Sequence, residues 1–220
     1  MKLKKWLALA LSAVMAVGVL AGCGGGSTGG GSLDLEEVNS LISTAGGNMT
    51  VRSLDKLDDG LRSAVSTMQD KEVATTLAAN EALADSMDWT SPTALLGAVQ
   101  SVLNGQLPDF DGSLSYGAAY VISEERLENG VKVSGLADLV GIDSEKIAKL
   151  GTVDTPESLA AALILGVDEA IKEAAAEFLG DQASVLLNAI SLDYRASARK
   201  MTLDGVTYWV LGGQVSLYTL

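Results

Sequence analysis

The side chains that could carry chemistry in this sequence are few, and the first of them is a single cysteine. Cys23 is the only cysteine among 220 residues, and the sequence contains no histidine. Imidazole is the usual base of serine and cysteine triads and a usual ligand in protein zinc sites. The composition therefore excludes imidazole-based triads and the usual zinc sites, and we predict no catalytic residue, cofactor or metal site.

Cys23 ends an N-terminal segment with the composition of a secretory signal peptide. Three lysines in the first five residues precede an apolar run over 6–19, which is shorter than the roughly 20 residues that cross a bilayer. The segment closes with Leu20-Ala21-Gly22-Cys23, which resembles the lipobox of bacterial lipoproteins. The resemblance implies that residues 1–22 are cleaved and that the Cys23 thiol carries a diacylglycerol. The alternative is an ordinary signal peptide followed by an incidental cysteine.

A glycine- and serine-rich stretch follows the cysteine. Residues 24–32 contain only Gly, Ser and Thr and behave as a flexible coil spanning roughly 15–18 Å. A phosphate-binding loop is the other interpretation, but no strand precedes these glycines and no Gly-Lys-Ser/Thr follows them. We therefore predict residues 23–32 to be a lipidated cysteine with its tether, and residues 33–220 to be one extracytoplasmic domain held at the cell membrane.

The charge of the mature chain indicates which partners to expect. Without residues 1–22, it carries 12 basic and 28 acidic residues, a formal charge of −16. Such a surface repels phosphate backbones and anionic headgroups. We therefore expect no nucleic acid, attachment to the membrane through the lipid on Cys23, and a protein or cell-wall component as the further partner.

A serine and a lysine supply the one sequence match to a nucleophile motif. Ser53-Leu54-Asp55-Lys56 fits Ser-x-x-Lys, the acylation motif of penicillin-binding proteins and serine β-lactamases. The companion sequences Ser-x-Asn and Lys-Thr-Gly are missing. Ser53 is therefore interpreted as the N-cap of a helix and Lys56 as an exposed side chain.

Two acidic clusters are candidates for metal or catalytic sites. Asp109-Phe110-Asp111-Gly112 resembles the start of a calcium loop, but the required glycine and glutamate are replaced by Leu114 and Tyr120. A turn is the preferred interpretation, and an irregular calcium site is the alternative.

The second acidic cluster is Glu124, Glu125 and Glu128. Carboxylates about 5–10 Å apart can hydrolyse glycosides. Sugar clefts need aromatic platforms, however, and the mature chain has only two tryptophans, Trp89 and Trp209. The cluster is therefore interpreted as a solvated face.

Apolar periodicity predicts helices over most of the chain. Spacings of three and four residues indicate helices over 33–44, 53–68, 71–87 and 91–105, and two shorter pieces over 134–151. Thr155-Pro156-Glu157 opens the strongest helix, which Gly180 ends, and Asp181 caps another. We expect these last two helices to be the hub of the core.

Strand signals lie in the middle and at the C-terminus. Residues 116–122 read as a strand, and Asn129-Gly130 predicts a hairpin. Asp204-Gly205 predicts a type I′ turn, and Gly212-Gly213 predicts a second turn, which would make three consecutive antiparallel strands. The predicted class is α+β, a helix-rich single domain with a small C-terminal antiparallel β meander.

The segment Asp204-Gly205-Val206-Thr207-Tyr208-Trp209-Val210 is similar to the closing strands of CAP (SCP-like) domains. The resemblance implies an α-β-α sandwich of a secreted protein. Many members of that family carry a metal cleft of two histidines and acidic residues. A chain without histidine cannot have an intact cleft of that kind.

The sequence as a whole favours a membrane-anchored extracytoplasmic lipoprotein that acts as a binding or structural surface module. One alternative is a cell-wall or surface hydrolase that uses carboxylates or the Ser53 and Lys56 pair. The others are a degenerate CAP-like domain and a module that binds a small molecule or calcium.

Overall fold

The computed structural model describes residues 32–84, 86–87, 89, 114–132, 145–179 and 190–219. These residues form six helices and four strands. The helices are α1 (Leu35–Thr44), α2 (Asp55–Asp70), α3 (Thr76–Ala84), α4 (Glu124–Glu128), α5 (Glu145–Lys149) and α6 (Pro156–Leu179). The strands are β1 (Val51–Arg52), β2 (Leu114–Ser123), β3 (Ile190–Leu203) and β4 (Val206–Thr219). The predicted α+β class is confirmed.

The four strands make one mixed sheet in the order β1-β3-β4-β2. Strand β1 is parallel to β3, whereas β4 is antiparallel to both β3 and β2. The two residues that join β3 to β4 are Asp204 and Gly205, with φ values of 51° and 76°. Two consecutive positive φ angles define a type I′ turn, so that prediction is confirmed.

The second turn, predicted at Gly212-Gly213, is wrong. Strand β4 runs through both glycines, and the third antiparallel strand is β2, which pairs with β4 along its whole length. Gly212 is required for packing and not for a turn. A Cβ on Gly212 would lie only 3.0 Å from Cδ1 of Leu61 in α2, so a glycine lets the helix approach the strand.

The side chains of each strand alternate between the two faces of the sheet. Both faces carry buried apolar side chains, and helices cover both of them. Helices α6 and α1 share one buried cluster with Tyr194, Ala196 and Leu211, and we call this side of the sheet the α6 face. Helices α2 and α3 share a second cluster with Met201 and Val210, and we call this side the α2 face.

Local capping signals account for the start of two helices. The Asp34 carboxylate accepts hydrogen bonds from the N–H groups of Glu36 and Glu37 at 3.0 and 3.2 Å, which caps α1. Pro156 is the first residue of α6, as predicted. Ser53 is not the N-cap of α2; that position is held by Leu54, which makes no side-chain cap.

The hairpin predicted at Asn129-Gly130 is also wrong. Asn129 follows the last residue of α4, and its N–H donates to the Glu125 carbonyl at 3.1 Å. Gly130 then takes a φ of 82°, the left-handed conformation that ends many helices. The dipeptide favours positive φ, and here that preference ends a helix.

The helix predicted over 91–105, the loop at Asp109 to Gly112 and the helix after Asp181 lie outside the described residues.

Candidate functional site

An apolar groove lies between α6 and the sheet, and we call it the α6 groove. Its floor is formed by Ala118, Gly213 and Ala196, which are paired in one row across β2, β4 and β3. Opposite this floor lies the face of α6 that carries Ala160, Leu163, Ile164 and Val167. The groove encloses about 70 Å³. This is roughly half the 150 Å³ of an engineered apolar cavity that takes up benzene.

The groove exists because its floor has almost no side chains while the neighbouring rows have large ones. The row on one side is Tyr194, Val215 and Tyr116, and the row on the other side contains Leu211 and Tyr120. These residues hold α6 away from the sheet, so the methyl groups and the glycine between them leave a gap. The groove is therefore a consequence of register among three strands.

Three tyrosine rings line the groove, and burial raises the pKa of each phenol. Burial raises the pKa of Tyr116 to about 12. It also raises the pKa of Tyr120, where the positive charge of Arg126 acts in the opposite direction. Burial, the negative charge of Asp168 and a hydrogen bond to that carboxylate together raise the pKa of Tyr194. All three phenols are protonated at neutral pH.

A buried carboxylate lies at the edge of the groove. Asp168 of α6 is only 3% exposed, and its Oδ1 accepts a hydrogen bond from the Tyr194 hydroxyl at 2.8 Å. Its Oδ2 is 2.5 Å from Nζ of Lys172, one turn further along the helix. A buried charge is tolerated only when it is paired and hydrogen-bonded. The arrangement fixes the middle of α6 against β3 and makes that edge of the groove polar.

Sequence reasoning missed both Asp168 and Tyr194. Asp168 stands four residues after Ile164 and seven after Ala161, which places a carboxylate on the apolar face of α6. An acid on an apolar face requires a buried partner. This pattern could have identified Asp168, but the partner on β3 could not be named without the fold.

The structure does not bring the sequence-predicted candidates together at the groove. Ser53 and Lys56 are both exposed near the start of α2, and the Ser53 carbonyl accepts a hydrogen bond from Nη1 of Arg195 at 2.8 Å. Cys23, Asp109 and Asp111 lie outside the described residues.

The acidic cluster at 124–128 is only partly the solvated face that the sequence predicts. Glu125 and Glu128 are exposed. Glu124 is partly buried, and its Oε1 is 2.5 Å from Nζ of Lys200, which also lies 4.7 Å from the ring centroid of Trp209. The interpretation is therefore wrong for Glu124, which ties α4 to the sheet.

Within the part of the chain that the structure describes, no group of three or more His, Cys, Asp or Glu side chains could hold a metal ion. None of the helices in these ranges is long and apolar enough to cross a membrane.

Comparison with protein-family models, with curated proteins and with solved structures finds no match to the chain. The resemblances to the lipobox and to CAP domains therefore stay predictions from the sequence. Function must be argued from the residues themselves.

Proposed function

We propose that this protein is a lipid-anchored module outside the cytoplasm that binds a small apolar ligand in the α6 groove. The lipobox-like end of the leader and the sole cysteine support the anchor. The observation that carries the binding role is the apolar groove. Leu33, the residue directly after the predicted tether, lines the groove, so the tether would hold it close to the membrane.

Packing gives a reason to regard the groove as more than a defect. A methyl group on Gly213 would have its nearest neighbours at 3.9 and 4.0 Å, so sterics allow the floor to be filled. Because the lining is almost entirely apolar, the ligand would be a small apolar molecule or the apolar end of a larger one.

Replacing Cys23 by alanine tests the anchor. We expect Cys23→Ala to abolish incorporation of radiolabelled palmitate into the protein. The physical reason is that the Cys23 thiol is the group that would carry the lipid, and alanine has no nucleophilic atom in its place. Ser27→Ala, in the tether, is the matched control and should leave labelling intact. Unchanged labelling of Cys23→Ala would show that the cysteine is not lipidated.

Xenon is the probe for the groove, since it enters small apolar cavities without needing a hydrogen bond. We expect xenon to shift the methyl NMR signals of Leu163, Ile164 and Val215 in the purified full chain. Gly213→Val, which places a branched side chain on the floor, should abolish those shifts while the chain stays folded. Equal shifts in the wild type and in Gly213→Val would contradict binding in the groove, whatever the Cys23 experiment gives.

A further inference from the structure

Strand β2 forms one edge of the sheet, and its sequence gives that edge no protection of its own. The ten residues of Leu114–Ser123 include no charged residue and no proline. Natural edge strands usually carry charges, prolines or bulges that prevent pairing with another chain. Uncharged segments of six or seven residues with high β propensity are also the ones that stack between chains. The edge must therefore be protected by another element.

Helix α3 supplies that protection through two side chains. The Asn80 amide makes both hydrogen bonds that a neighbouring strand would make to Ala119. Its Oδ1 accepts from the Ala119 N–H at 2.8 Å, and its Nδ2 donates to the Ala119 carbonyl at 2.9 Å. Thr76 Oγ1 accepts from the Val121 N–H at 3.0 Å. Asn80 is 8% exposed and Thr76 is 1% exposed, so water does not compete for these bonds.

The orientation of Asn80 is fixed within the helix. Its Nδ2 also donates to the Thr76 carbonyl at 2.8 Å, one turn earlier in α3. The side chain therefore presents one acceptor and one donor to the strand in a defined geometry. Asn80 occupies the place of a fifth strand at Ala119.

We infer that the β2 edge is a self-association surface and that Asn80 and Thr76 keep it closed to a second copy of this chain. The N–H and C=O of Ala119 point away from β4, because both bond to Asn80. In an antiparallel ladder, the N–H and C=O groups that point to the same side recur at every second residue. The outward groups of one β2 strand are therefore complementary to those of a second β2 strand related to it by a two-fold axis near Ala119. Two β2 strands bring no charges together, which allows this pairing despite the acidic composition of the chain.

The opposite edge of the sheet provides an internal comparison. Asn39 of α1 holds Val51 of β1 in the same way, with hydrogen bonds of 2.7 and 2.9 Å to the Val51 N–H and C=O. Strand β1 contains only two residues, however. An edge of that length offers too few hydrogen bonds to bind a second copy.

The test compares three variants of the full chain in a density-matched detergent by sedimentation equilibrium. Asn80→Ala should sediment with a protein mass of two or more chains, rising with concentration, whereas Asn80→Asp should stay at one chain. The carboxylate still accepts from Ala119 but places a charge at the edge, where two copies would repel each other. Asn39→Ala should also stay at one chain.

Hydrogen exchange identifies the surface that pairs. In associated Asn80→Ala, the amide of Ala119 should be protected from exchange, and dilution to single chains should expose it, because its partner Asn80 is gone. If Asn80→Ala does not fold, Thr76→Val, which removes only the acceptor for Val121, takes its place in the comparison. A folded variant that remains a single chain, or an Asn80→Asp variant that associates as strongly as Asn80→Ala, would overturn the inference.

Discussion

Alanine in place of Gly117 is expected to lower the free energy of unfolding by about 3 kcal/mol, at the upper end of the range for overpacked cores. The added Cβ would lie well inside 3.0 Å of two ring carbons of Trp89 and 2.7 Å from the carbonyl oxygen of Gly213 on β4. The carbonyl belongs to the sheet and cannot move without breaking the β2–β4 ladder. The ring is therefore forced out of its position on the α2 face.

Displacing the ring removes a hydrogen bond as well as a packing contact. Nε1 of Trp89 donates to Oε1 of Gln214 at 3.0 Å, and the amide of Gln214 in turn donates to Ser216 at 3.0 Å. Urea unfolding monitored by circular dichroism gives the change in the free energy of unfolding. We expect a lower midpoint and a red shift of tryptophan emission in Gly117→Ala.

Gly213→Ala is the matched control for this substitution. Gly213 is on the neighbouring strand, and its added methyl would meet nothing closer than 3.9 Å. Its effect on the free energy of unfolding should be within about 0.5 kcal/mol, or stabilising, because the methyl partly fills the groove. Equal losses in the two variants would mean that the glycines are needed for their backbone conformation, and that contact with Trp89 is not the cause.

The two glycines show how differently the two sides of the sheet are packed. On the α2 face, the space above Gly117 is taken by the indole of Trp89. On the α6 face, the space above Gly213 is left as part of the groove, although a methyl group would fit. The helices on the α6 face therefore enclose space that the protein does not fill, which is the physical basis for proposing a ligand there.

Two element boundaries are predicted correctly from local signals. Pro156 opens α6, and Asp204-Gly205 makes the type I′ turn. Each signal acts through backbone conformation within a few residues, so it does not depend on the rest of the fold. The dipeptides Asn129-Gly130 and Gly212-Gly213 do not form the predicted turns, because a glycine also serves helix ends and close approaches.

The α6 groove and the hydrogen bonds from Asn80 to the β2 edge could not be predicted, because the residues involved meet only through the topology. Ala118, Ala196 and Gly213 come from three strands, and each is an ordinary strand residue on its own. Asn80 reads as a polar position in a helix, yet its partner is 39 residues away on β2. Strand order and register decide these contacts, and a single sequence carries no direct signal for either.

Raising the pH above about 10 is expected to unfold the protein through the tyrosines of the groove. Burial raises the pKa of Tyr116 to about 12 and raises the pKa values of Tyr120 and Tyr194, whereas an exposed tyrosine titrates near pH 10. Above about pH 10 the unfolded chain therefore releases protons that the folded chain retains, so the free energy of unfolding falls as pH rises. A tyrosine that is protonated in the folded chain and ionised in the unfolded chain contributes about 1.4 kcal/mol per pH unit in this window.

Single phenylalanine variants assign this alkaline slope to particular side chains. Tyr194→Phe should reduce the fall in unfolding free energy per pH unit by the share of one buried tyrosine. It should also lower stability at neutral pH by about 2 kcal/mol, because Asp168 loses its hydroxyl donor at 2.8 Å. Tyr116→Phe should flatten the slope as well. A slope that is the same in the wild type and in Tyr116→Phe, Tyr120→Phe and Tyr194→Phe would contradict the assignment of alkaline unfolding to the groove.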